Sequence, residues 1–281
     1  MNKHLVLQSD FGLVDGAVAA MYGVALDVSP TLKVYDLTHE IPPYDIFAAS
    51  YRLIQTLQYW PQGTVFVSVV DPGVGSNRKS VVAKTSSGHY VVTPDNGTLT
   101  HVKRLIGIEE VREIEEAVHR RKNTEHSYTF HGRDVYAFTG AKLAADLISF
   151  EDVGQLLSVE RVVEVDLAVA QLFENRIVGC VDILDVRFGS CWTNISRELF
   201  TKLDVEFGEM VEVSITNGHI RVYQNHVCYG PTFAQVNVGE VLLYTNSMYH
   251  MALAINQGNF ARAYNIGTGP QWKVELKKVS R

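Results

Sequence analysis

Residues 64–70, Thr-Val-Phe-Val-Ser-Val-Val, are a near-continuous apolar and β-branched run that stops at Asp71-Pro72-Gly73. Such a strand carries apolar side chains on both faces and must be covered on both, which is how strands of parallel α/β sheets are placed. The remainder of the first half supplies the cover. Residues 4–8 predict a first strand that ends in Ser9-Asp10-Phe11-Gly12. Val14, Val18, Met21, Ala25 and Val28 then recur at helical spacing until Pro30, with Asp15 expected in the first turn. Residues 33–37 predict a second strand, and Ile46, Leu53, Leu57 and Trp60 mark one face of a second helix that ends at Pro61 and Gly63. Residues 79–85 and 89–93 predict a hairpin across Ser86-Ser87-Gly88. Asp95-Asn96-Gly97 reads as a turn before a short helix, and residues 134–147 as a longer amphipathic one.

From about residue 161 the pattern changes to short β-rich segments broken by Gly, Asn and Pro, at 176–184, 210–216, 220–224, 240–244 and 248–255. A chain of 281 residues has room for two domains at roughly 150 residues each. The expected boundary lies near 155–168, giving an α/β domain over 1–158 with a largely parallel or mixed sheet flanked by helices. An all-β barrel or sandwich, antiparallel in its pairing, is expected over 166–281.

A formal net charge of −6 with scattered Lys and Arg argues against nucleic acid or an anionic membrane as partner. Cys180, Cys191 and Cys228 are odd in number and far apart, as expected for reduced thiols of a cytoplasmic protein. The apolar run near residue 4 is too short for a signal-peptide core, and no stretch has the length of a membrane helix.

Ligands of open α/β sheets bind beyond the carboxyl ends of the strands, so Asp10, Asp15 and Asp71 are candidates for one rim. A carboxylate beside a glycine can accept two hydrogen bonds from a vicinal diol such as that of ribose; Asp15 serves equally well as a cap for the following helix. Asp71 and Arg78 stand seven residues apart around Pro72-Gly73-Val74-Gly75-Ser76-Asn77, a loop that lacks the phosphate-binding arrangement. Spacing alone favours an ordinary ion pair there. Thr129-Phe130-His131-Gly132-Arg133-Asp134 sets a histidine directly before a helix. Asp10, Asp71, His39 and His131 could gather around a metal, yet no HExxH, HxH or paired-cysteine spacing supports one, and neither metal nor cofactor is expected. In the second half, Asp185-Val186-Arg187-Phe188-Gly189-Ser190-Cys191-Trp192 joins an acid, aromatic rings and small polar groups. That set suits a purine, which takes stacking and edge hydrogen bonds; it suits a hairpin corner as well, with Trp192 in the core. Pro231-Thr232-Phe233 and Thr245-Asn246-Ser247 are weaker signals of the same kind.

Taken in order, SDFG with Asp15 behind it, VVDPGVGSNR, PDNG, FHGRD, DxxFGSCWTN, PTF and NS followed by Asn256 resemble the S-adenosylmethionine hydroxide adenosyltransferase family, the hydrolytic relatives of the fluorinases and chlorinases. The likeness runs from about residue 4 to residue 270. It implies hydrolysis of S-adenosylmethionine to adenosine and methionine, with water or hydroxide attacking C5′ of the ribose. By the same resemblance Asp71, Arg78 and His131 attend the nucleophile and Asp10 holds the ribose diol. The resemblance also implies Asp185 and Ser247 near the methionine amino and carboxylate groups, Phe188 and Phe233 flanking adenine, and Asp15, Ser190 and Asn246 within the substrate-binding set. The resemblance further implies a homotrimer whose active sites lie between subunits. Halogenating members carry Tyr where this chain has Asp71, and an anionic side chain there would repel a halide. Ser190 replaces the family's usual Asn, and Met248 stands where fluorinase has Arg. Two other functions fit the same residues: a non-catalytic sensor of adenosine or S-adenosylmethionine, and a metal-dependent nucleoside hydrolase.

Overall fold

The apolar strand lies third in a seven-stranded mixed sheet, in a computed structural model that describes residues 4–279 except 125, 127 and 128. Two compact units divide the chain, Met1–Val165 and Asp166–Arg281. In the first, the strands are β1 His4–Ser9, β2 Lys33–Thr38, β3 Val65–Val69, β4 Ser80–Thr85, β5 Tyr90–Pro94, β6 Ile108–Glu113 and β7 Leu156–Leu157. The helices are α1 Ala17–Val28, α2 Ile46–Thr56, α3 Thr100–Leu105, α4 Glu116–His119 and α5 Phe138–Ala144. The spatial order is β2-β1-β3-β5-β4-β6-β7. Pairings among β2, β1, β3 and β5 are parallel and the remaining ones antiparallel, so the sheet is mixed as expected.

The chain leaves β1 for β2 on one side and returns to β3 on the other. Strand order therefore reverses between β1 and β3, where such sheets open a crevice beyond their carboxyl ends. Ser9 is level with Val69 in the β1–β3 register, so Asp10 and Asp71 leave the sheet at the same edge. Leu5, Leu7, Val65, Val67 and Val69 alternate onto one face and are buried with Met21 and Ala25 of α1 and Ala141 of α5. Each fully buried aliphatic side chain of this kind contributes about 1.5–3 kcal/mol relative to exposure.

Several local expectations need correction. Asp15 precedes α1 and lies outside its first turn, because the helix starts only after Gly16. Residues 134–147 do not form one regular helix: Gly132–Ala137 is a π-helical turn that runs into α5. The strand β6, Ile-Glu-Glu-Val-Arg-Glu, escapes notice because half of its side chains are acidic.

The second unit contains β8 Gln171–Phe173, β9 Arg176–Leu184, β10 Cys191–Ser196, β11 Met210–Asn217, β12 Ile220–Tyr229, β13 Val241–Thr245, β14 His250–Ile255 and β15 Gly269–Lys278, with short helices at Arg197–Thr201 and Phe260–Ala263. The order β10-β14-β13-β12-β11-β15-β9 is closed by pairing of β9 with β10, which makes a seven-stranded barrel with β8 attached outside. One pair, β12 with β13, is parallel, a departure from the antiparallel expectation. Closure leaves the barrel strands no open edge. Its interior is filled by alternating side chains such as Val211, Val213 and Ile215 of β11 and Val274 and Leu276 of β15. Trp192 is buried.

Gly140 marks the closest approach of α5 to the sheet. A Cβ there would run into Val67 Cγ2 and stand 3.3 Å from Leu5 Cδ1. Overpacking of this kind costs about 1–3 kcal/mol. Gly140→Ala should therefore lower the urea midpoint of unfolding, although alanine is the better helix former; an unchanged or raised midpoint would contradict the packing described.

Candidate functional site

Beyond β1 the chain turns at Gly12, whose φ of +67° suits glycine and whose N–H donates to His39 O at 2.8 Å. The Asp10 carboxylate, half-buried, accepts from the Tyr44 N–H at 2.9 Å and so pins the 42–45 turn to the strand end. Asp15 Oδ1 accepts from Ala17 N–H at 2.9 Å, which satisfies a donor of the first turn of α1. His39 is committed locally: Nδ1 lies 2.6 Å from Ser9 Oγ and Nε2 lies 2.9 Å from Asp36 Oδ1. Among the described residues no three His, Cys, Asp or Glu side chains form a group that could hold a metal ion.

Asp71 and Arg78 are paired side on. Arg78 Nε donates to both Asp71 oxygens at 3.1 and 3.0 Å, and Nη2 donates to Oδ2 at 2.6 Å. Their side chains are 5% and 10% exposed, so the pair is largely out of water, and charge-assisted fork bonds of this type are the strong ones. Burial works against the Arg78 charge, yet Asp71, Tyr136 and Glu116 together outweigh it and raise the guanidinium pKa. The guanidinium carbon also lies 5.7 Å from the centre of the Tyr136 ring.

From Arg78 the polar contacts continue inward. Nη1 donates to Ser80 Oγ at 3.1 Å, Ser80 Oγ donates to Glu116 Oε1 at 2.8 Å, and Tyr136 Oη lies 3.1 Å from Ser80 Oγ. One serine hydroxyl has one donor and two acceptor positions, so with Tyr136 donating it is fully used. Glu116 Oε2 in turn accepts from Arg120 Nη2 at 2.9 Å and lies 3.3 Å from His131 Nε2. Arg120 Nη2 is also 2.9 Å from His131 Nε2. His131 and Ser80 are 4% and 3% exposed. Contact with His131, and then with Ser80 and Arg120, holds the Glu116 carboxyl down at about 2 against the opposing effect of burial. Burial pushes the Tyr136 phenol up.

Gly132 brings the histidine loop to the rim. A Cβ there would meet Phe11 Cζ at 2.9 Å and Val69 Cγ1 at 3.2 Å, so the segment carrying His131 packs on the ends of both β1 and β3. The structure thus joins Asp71 to Arg78 directly, and both to His131 through Ser80 and Glu116.

In the second unit, Asp185 Oδ1 accepts from the N–H groups of Arg187 and Phe188 at 3.2 and 3.4 Å, organising a turn that leaves Phe188 69% exposed. Ser190 is buried. Burial raises the pKa of the nearby Tyr244 phenol, and the side chains of Ser190 and Trp192 act in the opposite sense. The Phe233 ring lies 5.1 Å from that of Tyr244, so Ser190, Phe233 and Tyr244 form one cluster. Asn246 Oδ1 accepts from Met248 and His250 N–H at 2.9 and 3.1 Å, and its buried Nδ2 has no hydrogen-bond partner among the described residues. Ser247 beside it is exposed.

Sequence reasoning missed Ser80, Glu116, Arg120, Tyr136 and Tyr244. Glu116 and Arg120 do carry a sequence signal, the four-residue spacing of an acid and a base on one helix face.

An α/β unit with a buried Asp–Arg pair at its strand-order reversal, followed by a seven-stranded barrel, defines a narrow class. The N-terminal domain of the SAM hydroxide adenosyltransferases matches residues 5–154 and their C-terminal domain residues 179–273. The chain belongs to this family. It is 37% identical over 201 residues to the (R)-S-adenosyl-L-methionine hydrolase of Methanocaldococcus jannaschii, covering 70% of this chain and 68% of that protein. It is 27% identical over 296 residues to the fluorinase of Nocardia brasiliensis, covering 97% and 96%. The crystal structure of an uncharacterized conserved protein from Thermotoga maritima superimposes with a TM-score of 0.88 at 33% identity, over 98% of this chain and all of that one.

Glu116 sets a pH dependence. Its carboxyl is more acidic folded than unfolded, so its contribution to stability is complete above the unfolded value and disappears as pH falls from about 4.5 to about 2. The Glu116→Gln variant should lose stability less steeply than wild type over that acid range, measured by denaturant midpoints at successive pH values. Parallel curves would refute the assignment.

Proposed function

We propose that this protein hydrolyses S-adenosyl-L-methionine to adenosine and L-methionine. The observation that carries the reading is the buried Asp71–Arg78 pair at the β1/β3 edge, linked to His131 through Ser80 and Glu116. Family membership and the hydrolase name of the Methanocaldococcus relative support the same reaction.

A sulfonium is a good leaving group without protonation, so the protein's task is to place one water in line with the C5′–S bond and to take its proton. Asp71 accepts that proton, Arg78 holds the Asp71 carboxylate in place, and His131 orients the water. The C5′–O bond forms as the C5′–S bond breaks, the electron pair stays on the methionine sulfur, and one proton is released to solvent. A carboxylate at residue 71 also opposes a halide in the same position, which favours water over the chemistry named for the fluorinase relative.

For binding, Asp10 takes the ribose hydroxyls, with Asp15 close behind it in the chain. Phe188 and Phe233 flank adenine, with Ser190 at its edge. Asp185 faces the methionine ammonium, while Ser247 and the unsatisfied Nδ2 of Asn246 donate to its carboxylate. Neither metal nor cofactor enters the scheme. The working form is a homotrimer with sites shared between neighbouring subunits, in the cytoplasm, where the free thiols Cys180, Cys191 and Cys228 remain reduced.

Chromatography of purified protein incubated with S-adenosylmethionine should show adenosine and methionine in equal amounts, with and without a chelator. Asp71→Asn, which keeps an acceptor for Arg78, and His131→Ala should each cut kcat by about 10²–10⁴-fold while adenosine affinity changes little. Tight adenosine binding without turnover would replace the hydrolase by a sensor, and loss of turnover with chelator would replace it by a metal-dependent hydrolase. Activity surviving dilution to monomer in a sizing experiment would overturn the shared site.

A further inference from the structure

Gln8 Oε1 on β1, Ser68 Oγ on β3 and Thr93 Oγ1 on β5 are buried and have no hydrogen-bond partner among the described residues. They stand side by side. The register sets Gln8 level with Ser68 and Val67 level with Val92, so one residue further on Ser68 is level with Thr93. All three alternate away from Leu7, Val67 and Val92, which share a core with α1 and α5, and so lie together on the opposite face of the sheet. Their exposures are 1%, 0% and 0%.

A buried polar atom without a partner is costly, and three at neighbouring positions can be satisfied by one small molecule. Gln8 Nε2 donates to Ala49 O of α2 at 2.9 Å, which fixes the orientation of the amide. Oε1 is therefore the atom left over, and it can only accept, whereas the two hydroxyls can donate or accept. Adjacent strands lie about 4.8 Å apart, a gap that one molecule spans with hydrogen bonds of about 2.8 Å on either side. The molecule that fits must donate to an amide oxygen and pair with two hydroxyls. It must also be neutral, because the three oxygens offer no charge to balance one.

We propose that Gln8, Ser68 and Thr93 form a binding site for one internal water, which donates to Gln8 Oε1 and accepts from the Ser68 and Thr93 hydroxyls. About three partners is the usual complement of a buried water. The water ties the parallel strands β1, β3 and β5 to one another and, through the Gln8 amide, to α2. Gln8 precedes Asp10 by two residues and Ser68 precedes Asp71 by three, so this cross-link lies in the floor beneath the edge where those carboxylates leave the sheet.

A crystal structure of the full-length protein, at a resolution that shows ordered water, tests the site directly. One peak should lie within about 3.2 Å of all three oxygens. Urea midpoints give a second test, because Thr93→Val keeps the side-chain shape and removes one hydroxyl. Replacing a hydroxyl that has no partner raises the midpoint, whereas removing one that holds the water should lower it. Ser68→Ala should lower it as well, and the double variant should lose less than the sum of the two, since both substitutions act on the same water. A site without density, or with anomalous signal from a cation, would overturn the proposal, and so would a raised Thr93→Val midpoint or strictly additive losses. Should a variant fail to fold, the crystal structure of the wild type still decides. None of these measurements involves turnover, so they stand or fall independently of S-adenosylmethionine hydrolysis.

Discussion

A carboxylate withdrawn from water must be paired, and at the end of β3 this requirement organises everything nearby. Asp71 has little contact with solvent and is paired with Arg78, and a guanidinium drawn in to meet it brings further donors that need acceptors of their own. Ser80 and Glu116 meet that need, and Glu116 draws in Arg120 and His131. Groups from β4, α4 and the π-helical turn are held in one arrangement because each is the partner of the next. Connected networks of this kind fix positions better than isolated contacts do.

The parallel pairing of β1 with β3 does the complementary work. It puts Asp10 and Asp71 on one edge, and Gly132 lets the histidine loop settle against Phe11 and Val69 at that edge. The second unit follows a different logic. A closed barrel holds its strands through continuous pairing, and the turns at 185–190 and 246–249 carry polar groups whose backbone is already satisfied.

Much of this was legible in the chain itself. The strand at 64–70, the crossovers on either side of it and the β texture after residue 161 follow from periodicity, which reports burial on one face or two. Where the residues were charged or the register irregular, reading failed. The acidic β6 and the terminal β15 gave no clean alternation. Asp15 was set one element too far along, because apolar spacing does not reveal that Gly16 delays the helix. The Asp71–Arg78 spacing suggested an ordinary ion pair, and burial is what distinguishes it from one. Glu116 and Tyr136 went unnoticed because their importance lies in contacts with Ser80, 36 and 56 positions away in the chain, pairings that only the folded sheet creates.

The π-helical turn at Gly132–Ala137 works as a phase shifter. An α-helix turns by about 100° per residue, and a π turn absorbs one residue beyond the regular count. The side chains of α5 that face the sheet and the residues that precede the turn are therefore out of step by one position. Shortening this segment by a residue would restore a regular spiral and keep the apolar face of α5 on the sheet. It would also rotate His131 away from α4, so the core and the site depend on different phases of one continuous helix.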